Sequence, residues 1–116
     1  MLRRLAIRLA VPAAVLAAGA AAVVPAATAQ RVKSVEVSSN AYTPGKQTIR
    51  KGDKVRFRWA GGFDVHDVNV AKGPEEFSSP LLASGTWSHR FKKPGRYVLY
   101  CSQHEDMTMR LVVKKR

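Results

Sequence analysis

The chain has 116 residues, which is enough for one compact domain and too few for a two-domain enzyme. It carries 20 Lys and Arg residues against eight Asp and Glu residues, for a net charge of +12. These cations are scattered in ones and twos along the chain, with a short cluster only at Lys114-Lys115-Arg116, so we expect no nucleic-acid partner. The one cysteine, Cys101, lacks a partner for an intramolecular disulfide, which leaves it as an inert buried thiol, an intermolecular bridge, a nucleophile or a metal ligand.

Residues 1–29 have the layout of a secretory signal peptide. Residues 1–8 carry three arginines, residues 9–24 are almost wholly apolar, and the small residues at 27–29 fit a cleavage site. We therefore predict an exported protein, periplasmic or extracellular, whose mature domain is residues 30–116 and has no stable membrane insertion. An uncleaved membrane anchor is the alternative.

The predicted mature domain stays strongly basic, because losing three arginines lowers the net charge only from +12 to +9. Such a charge indicates a solvated face, a docking surface for an acidic partner or an anionic membrane, or both. We expect the domain to be a monomer.

From residue 30 onward the sequence predicts an all-β fold. Apolar and polar residues alternate in short runs broken by Gly and Pro, and no run of ten residues has helical apolar spacing. The clearest runs place alternate apolar residues on one face: Val35 and Val37; Val55, Phe57 and Trp59; Tyr97, Leu99 and Cys101. The turn signals suit a β-sandwich of about seven to eight strands. Residues 72–84 are the least strand-like and predict a loop, with room for one helical turn.

Residues 100–109 join two predicted strands and hold three potential metal ligands, Cys101, His104 and Met107. A thiolate and a thioether are soft donors suited to Cu(I), whereas imidazole binds copper in either oxidation state. Methionine is a poor zinc ligand. The run therefore favours copper, held in a plane of two His and one Cys with a distant axial Met, which is the blue-copper arrangement.

That arrangement needs a second imidazole, for which the candidates are His66 and His89. His66 follows a glycine turn and opens the next strand, so it can lie at the same end of the sandwich as Cys101. His89 falls within the predicted strand 86–91, where we expect it on the outer face. We therefore choose His66 as the ligand and leave His89 outside the site.

The order of these motifs resembles the cupredoxins, and among them the plastocyanin and amicyanin group, over residues 32–113. The most specific likeness is the run Phe91-x-x-Pro94-Gly95-x-Tyr97-x-x-Tyr100-Cys101-x-x-His104-x-x-Met107. Three earlier motifs match in order: Tyr42-x-Pro44, Ile49-x-x-Gly52-Asp53-x-Val55 and His66-x-Val68. The resemblance implies a Greek-key β-sandwich in which one copper ion is bound by His66, Cys101, His104 and Met107.

Two positions need comment within that family pattern. Met109 is an alternative axial ligand, since the family uses both spacings from the cysteine, but the apolar Leu111 and Val113 that follow favour Met107. Asp67 stands where the family usually has Asn. Because an ionised carboxylate only accepts hydrogen bonds, this residue puts the usual tie between the two ligand loops in doubt.

The resemblance predicts a carrier of single electrons between exported redox partners, rather than an enzyme, and the charge predicts an acidic partner protein. The alternative is a periplasmic carrier or sequestering protein for copper, which would use the same ligands. A third reading makes Cys101 a nucleophile with a histidine base, but it leaves Met107 without a role.

Overall fold

A computed structural model describes residues 31–116, so the predicted signal peptide lies outside the described residues. Eight strands form in this part of the chain: β1 (Val32–Ser38), β2 (Ala41–Thr43), β3 (Lys46–Arg50), β4 (Lys54–Ala60), β5 (Asn69–Lys72), β6 (Ser84–Arg90), β7 (Gly95–Cys101) and β8 (His104–Lys114). Within residues 31–116 there is no helix with the length and hydropathy needed to cross a membrane.

The strands form two mixed four-stranded sheets that face each other. The first sheet has the order β2-β1-β4-β6 and the second has the order β3-β8-β7-β5. The β1–β4 and β3–β8 pairs are parallel, and the other neighbours are antiparallel. Parallel neighbours cannot be joined by a tight hairpin, so the chain crosses between the sheets. The predicted Greek-key β-sandwich is confirmed.

The core follows from the alternation that the sequence shows. In β4 every second residue, beginning at Val55, is buried, and the same holds for Tyr97, Leu99 and Cys101 in β7. Strand β8 buries the odd-numbered residues from Met107 to Val113. Because successive side chains of a strand point to opposite faces, these residues fill the space between the sheets and their neighbours face water.

The segment between β5 and β6 is an irregular strap without the predicted helical turn. It is fastened to the sandwich by two isolated backbone bridges, Asn69–Ser78 and His66–Leu82. Ser79 adds a side-chain contact, since its hydroxyl accepts a hydrogen bond from the backbone N–H of Val68 at 2.8 Å. The strap therefore reaches the loop that carries His66.

His89 corrects one prediction, because its side chain is only 21% exposed and does not lie on the outer face. It is two residues from the buried Phe91, and residues two apart on a strand share a face. The imidazole stacks on Phe77 with ring centroids 4.0 Å apart and meets Phe91 edge to face at 4.6 Å. Its Nε2 lies 3.1 Å from Glu75 Oε1, so His89 fastens the strap to β6.

Glu75 is the polar anchor of the strap. Its Oε2 accepts hydrogen bonds from the backbone N–H groups of Lys92 and Lys93, at 2.7 and 2.9 Å, and from the Tyr97 hydroxyl. Burial acts to raise the pKa of Glu75, but these hydrogen bonds and that of His89 outweigh it and hold the pKa below its ordinary value. Burial and the Glu75 charge raise the pKa of Tyr97.

We expect Glu75→Gln to lower the free energy of unfolding by about 1.5–3 kcal/mol at neutral pH, the usual range for a hydrogen bond to a charged group. Because the folded-state pKa is depressed, the stabilisation is present above the ordinary glutamate value and lost as the pH falls through the lower folded value. Urea unfolding from pH 7 to pH 3 should show the two proteins converging at the acid end. Glu76→Gln, a change at the exposed neighbour, is the matched control, and an equal loss there would contradict the assignment.

Candidate metal centre

Three hydrogen bonds, two with Leu82 and one with Trp59, hold the backbone of His66 in place. After β4 ends at Ala60, a glycine-containing loop returns the chain to the end of the sandwich. His66 N–H donates to the carbonyl of Leu82 at 2.9 Å, and Leu82 N–H donates back to His66 O at 3.0 Å. The indole Nε1 of Trp59 also donates to His66 O, at 2.8 Å. These hydrogen bonds fix the position of the backbone from which the imidazole extends, although His66 lies outside any regular strand.

Cys101 and His104 lie at the closed end of the β7–β8 hairpin. Cys101 is the last residue of β7, His104 is the first residue of β8, and the two pair across a tight turn made by Ser102 and Gln103. The regular register stops at Tyr100, which pairs with Thr108, so residues 105–107 form a bulge. A bulge redirects side chains at a strand end, and here it gathers them around the cysteine.

The three predicted planar ligands meet in the structure. Cys101 Sγ lies 3.9 Å from His66 Nδ1 and 3.7 Å from His104 Nδ1. The three donor atoms all lie within 4.8 Å of one another. A sulfur about 2.3 Å and a nitrogen about 2.0 Å from one ion, at 120° to each other, would be separated by about 3.7 Å. The two sulfur–nitrogen distances therefore already match those of a single trigonal ion.

The strand register favours Met107 over Met109 as the axial donor. Both side chains are buried, at 1% exposure each, so burial does not separate them. Met109 pairs with Leu99, two residues before Cys101, whereas Met107 lies in the bulge between Thr108 and His104. Residues opposite each other across an antiparallel pair share a face. Met109 lies one step deeper in the core.

Met107→Leu is expected to shift the reduction potential and the visible spectrum, because the axial ligand tunes a blue-copper site. A change of at least about 30 mV, roughly threefold in the one-electron equilibrium constant, is expected. Met109→Leu is the matched control, because Met109 lies two residues further along the same buried face of β8. It should leave the reduction potential unchanged within the error of a spectroscopic redox titration. If Met109→Leu gave the larger shift, the axial assignment would be reversed.

Burial shapes the electrostatics of the centre. Cys101 and His66 are buried, whereas His104 is half-buried and forms the outer side of the site. Burial, with a smaller contribution from the neighbouring His104, lowers the pKa of His66 and keeps its ring neutral, the form that binds metals. Gln103 N–H lies 3.4 Å from Cys101 Sγ, where it stabilises negative charge on the sulfur.

Asp67 joins the two ligand loops, which resolves the doubt raised by its carboxylate. Its Oδ1 accepts a hydrogen bond from the backbone N–H of Ser102, and its Oδ2 accepts one from the Ser102 hydroxyl, both at 2.7 Å. Asp67 needs only to accept, because Ser102 supplies both donors. Burial acts to raise the pKa of Asp67, but the Ser102 hydrogen bonds outweigh it and lower the pKa, so the group is ionised at neutral pH.

Tyr42 supports this tie from the first sheet. Its hydroxyl donates to the backbone carbonyl of Asp67, and burial, with the nearby Cys101 and Asp67, raises the pKa of the phenol. The sequence predicts neither this contact nor the roles of Trp59 and Ser102. Those roles depend on residues that are far apart in the chain and meet only in the folded domain.

Known structures share this architecture. A reduced amicyanin variant aligns at 21% identity with a TM-score of 0.64, over 72% of this chain and 82% of its own. An oxidised amicyanin variant aligns at 21% identity with a TM-score of 0.63, over 82% of this chain and 89% of its own. A Cu-containing nitrite reductase from Thermus scotoductus SA-01 aligns at 28% identity with a TM-score of 0.64 over 72% of this chain. The present chain spans only 22% of that protein.

No protein-family model and no curated protein matches the chain. The structural likenesses establish a cupredoxin-like fold, as predicted.

The residues present fit one copper ion. Within residues 31–116, the structure brings together one group of three His, Cys or acidic donors, namely His66, Cys101 and His104. His89 lies outside it, as predicted, although for a different structural reason from the one expected. A cysteine sulfur with two imidazoles, together with the buried thioether of Met107 in the adjoining bulge, is the donor set that suits copper in both oxidation states.

Proposed function

We propose that this protein is a one-electron carrier that holds a single copper ion through His66, Cys101 and His104, with Met107 as the axial ligand. The observation that carries the proposal is the spacing of the donor atoms, 3.7 and 3.9 Å from the cysteine sulfur to the two imidazole nitrogens. Copper supplies the chemistry when bound, since it accepts and returns one electron. Because the ligand atoms are already spaced for one ion, they need to move little when copper changes between Cu(I) and Cu(II).

The surrounding residues keep the geometry constant. Trp59 and Leu82 hold the backbone of His66, while Asp67 holds the turn that separates Cys101 from His104. The sulfur and His66 are shielded from water, and His104 is the ligand that reaches toward the surface. A ligand set that is buried except at one rim protects the cysteine sulfur from water.

We also propose that the protein works after export and exchanges electrons with an acidic partner protein. The signal-peptide layout of residues 1–29 supports the first statement. The net charge of +9 in residues 30–116 supports the second, because opposite charges speed the encounter of redox proteins.

Adding Cu(II) to the purified protein is expected to produce an intense visible absorption from thiolate-to-copper charge transfer, with one copper bound per chain. Repeated reduction and reoxidation should bleach and restore the band without loss of metal. His89→Ala should keep the absorption, since His89 binds Glu75 instead. Release of Cu(I) to a chelator on every reduction would instead favour the alternative function, a copper carrier or sequestering protein.

A further inference from the structure

The metal-binding end of the domain is acidic, although the chain as a whole is basic. We call the two ligand loops, residues 61–67 and 101–107, the metal pole. It holds four of the eight carboxylates of the chain and no lysine or arginine: Asp64, Asp67, Glu105 and Asp106. All of them except Asp67 are exposed. An acidic partner approaching over the metal pole would therefore meet like charge.

The outer surface of the β3-β8-β7-β5 sheet has the opposite charge. We call it the basic face, and its cations are Lys46, Arg50, Lys72, Arg96, Arg110 and Lys114, all exposed. Three of them lie in one row that crosses all four strands, in the order Lys72, Val98, Arg110 and Lys46. The carboxylates of β8 lie in its bulge at the metal pole, so none separates these cations.

The cations of the basic face repel one another. Lys46 lies directly opposite Arg110, and Arg50 lies directly opposite Lys114. Like charges opposite each other across a strand pair destabilise a sheet. None of the ion pairs formed among residues 31–116 involves a cation of this face. On the other sheet, by contrast, Arg58 is paired with Glu36 at 3.7 Å.

The basic face also leads to the metal ligands. The row next to Lys72 and Arg110, in the direction of the metal pole, contains Tyr100 paired with Thr108. Successive rows on one face of a strand are about 7 Å apart. Tyr100 is 37% exposed, and its main chain continues directly into Cys101.

We propose that the basic face docks an acidic electron-transfer protein, with Tyr100 at the edge of the contact nearest the metal. This inference rests on the proposed function and adds where the partner binds. Its support is charge complementarity together with the short covalent connection from Tyr100 to the ligand sulfur. Docking over His104 would instead bring an acidic partner against Asp64, Glu105 and Asp106.

Reduced plant-type [2Fe–2S] ferredoxin, a strongly acidic protein, is a suitable probe of this face. The test measures the rate at which it bleaches the visible band of the copper-loaded protein by stopped flow at 0.1 M salt. The double variant Lys72→Glu/Arg110→Glu is expected to react at least about tenfold more slowly, within the range by which charge steering changes association rates. At about 1 M salt the difference should disappear, because the Debye length falls to about 3 Å.

Lys54→Glu/Arg56→Glu is the matched control, since it makes the same charge change on the outer face of the other sheet. The sheets pack about 10 Å apart and the Debye length is about 10 Å at 0.1 M salt, so these charges should be largely screened from the basic face. The control should therefore react within about twofold of the unaltered protein. Equal slowing by both pairs would show that only net charge matters and would overturn the proposed docking face.

Two further measurements distinguish the proposed docking face from the proposed electron-carrier function and from binding to a membrane. Reduction by hydroquinone, a small uncharged reagent, should proceed at the same rate in every variant. If the unaltered protein were neither bleached by hydroquinone nor restored by an excess of its oxidised form, benzoquinone, the proposed function itself would be overturned. Vesicles with about one third anionic lipid should not bind the protein at 0.1 M salt. Strong binding that is lost in Lys72→Glu/Arg110→Glu would assign the basic face to a membrane and overturn the docking of a protein.

Discussion

Cys101→Ser is expected to abolish the visible absorption of the copper-loaded protein. The band depends on a thiolate, and Cys101 supplies the one sulfur anion within reach of both imidazoles. A serine hydroxyl is a poor donor for Cu(I) and does not ionise at neutral pH, so the preference for copper over harder ions should fall as well. Absorption spectra during a Cu(II) titration measure the change directly, and a persistent intense band in Cys101→Ser would refute the proposed site.

The same substitution should remove most of the stability that the metal contributes. His66 lies in the loop after β4, whereas Cys101 and His104 close the β7–β8 hairpin, so a shared ion links the two sheets. Copper at about 100 times its dissociation constant adds about 2.7 kcal/mol to the folded state. For a domain of this size, that corresponds to a rise of roughly 10–20 °C in Tm. Cys101→Ser should show little of this rise, whereas His89→Ala should show all of it.

The sequence predicts the fold well because the pattern that indicates each strand lies within that strand. Alternation of apolar residues in β4, β7 and β8 predicts which side chains are buried, and the structure confirms those faces. The ligand run at the end of β7 is also local, since a hairpin must bring Cys101 and His104 together. The same alternation, applied over the wrong spacing, misplaces His89, which shares a face with Phe91.

The remaining features depend on contacts that no local pattern encodes. Ser102 is 35 residues from Asp67, and nothing in either segment indicates that one donates twice to the other. The bulge at residues 105–107 likewise depends on the register of the whole hairpin, which places Met109 opposite Leu99 and leaves Met107 in the bulge. Charge separation between the metal pole and the basic face emerges only when the strands are placed in their sheets.

Asp67 has two separable effects, one on the stability of the metal-free protein and one on the reduction potential. Asp67→Ala removes both acceptors of Ser102, and we expect it to lower the free energy of unfolding by at least about 1.5–3 kcal/mol, the contribution of one hydrogen bond to a charged group. Asp67→Asn should cost less than about 1 kcal/mol, because an amide oxygen can accept from the Ser102 N–H while its NH₂ group donates to the hydroxyl. Urea unfolding without metal distinguishes the two.

The effects of these variants on the reduction potential should follow a different order from their effects on stability. Negative charge near the site favours Cu(II), so Asp67→Asn and Asp67→Ala should both raise the potential, whereas Ser102→Ala keeps the carboxylate and should change it less. A unit charge about 6–10 Å away contributes about 1.5–3 kcal/mol at an effective dielectric constant of 20. At 59 mV for each tenfold change in a one-electron equilibrium, this is roughly 60–120 mV before screening by the Ser102 donors. A redox titration that finds the potential of Asp67→Asn unchanged or lower would show that the carboxylate acts only as a tie between the loops.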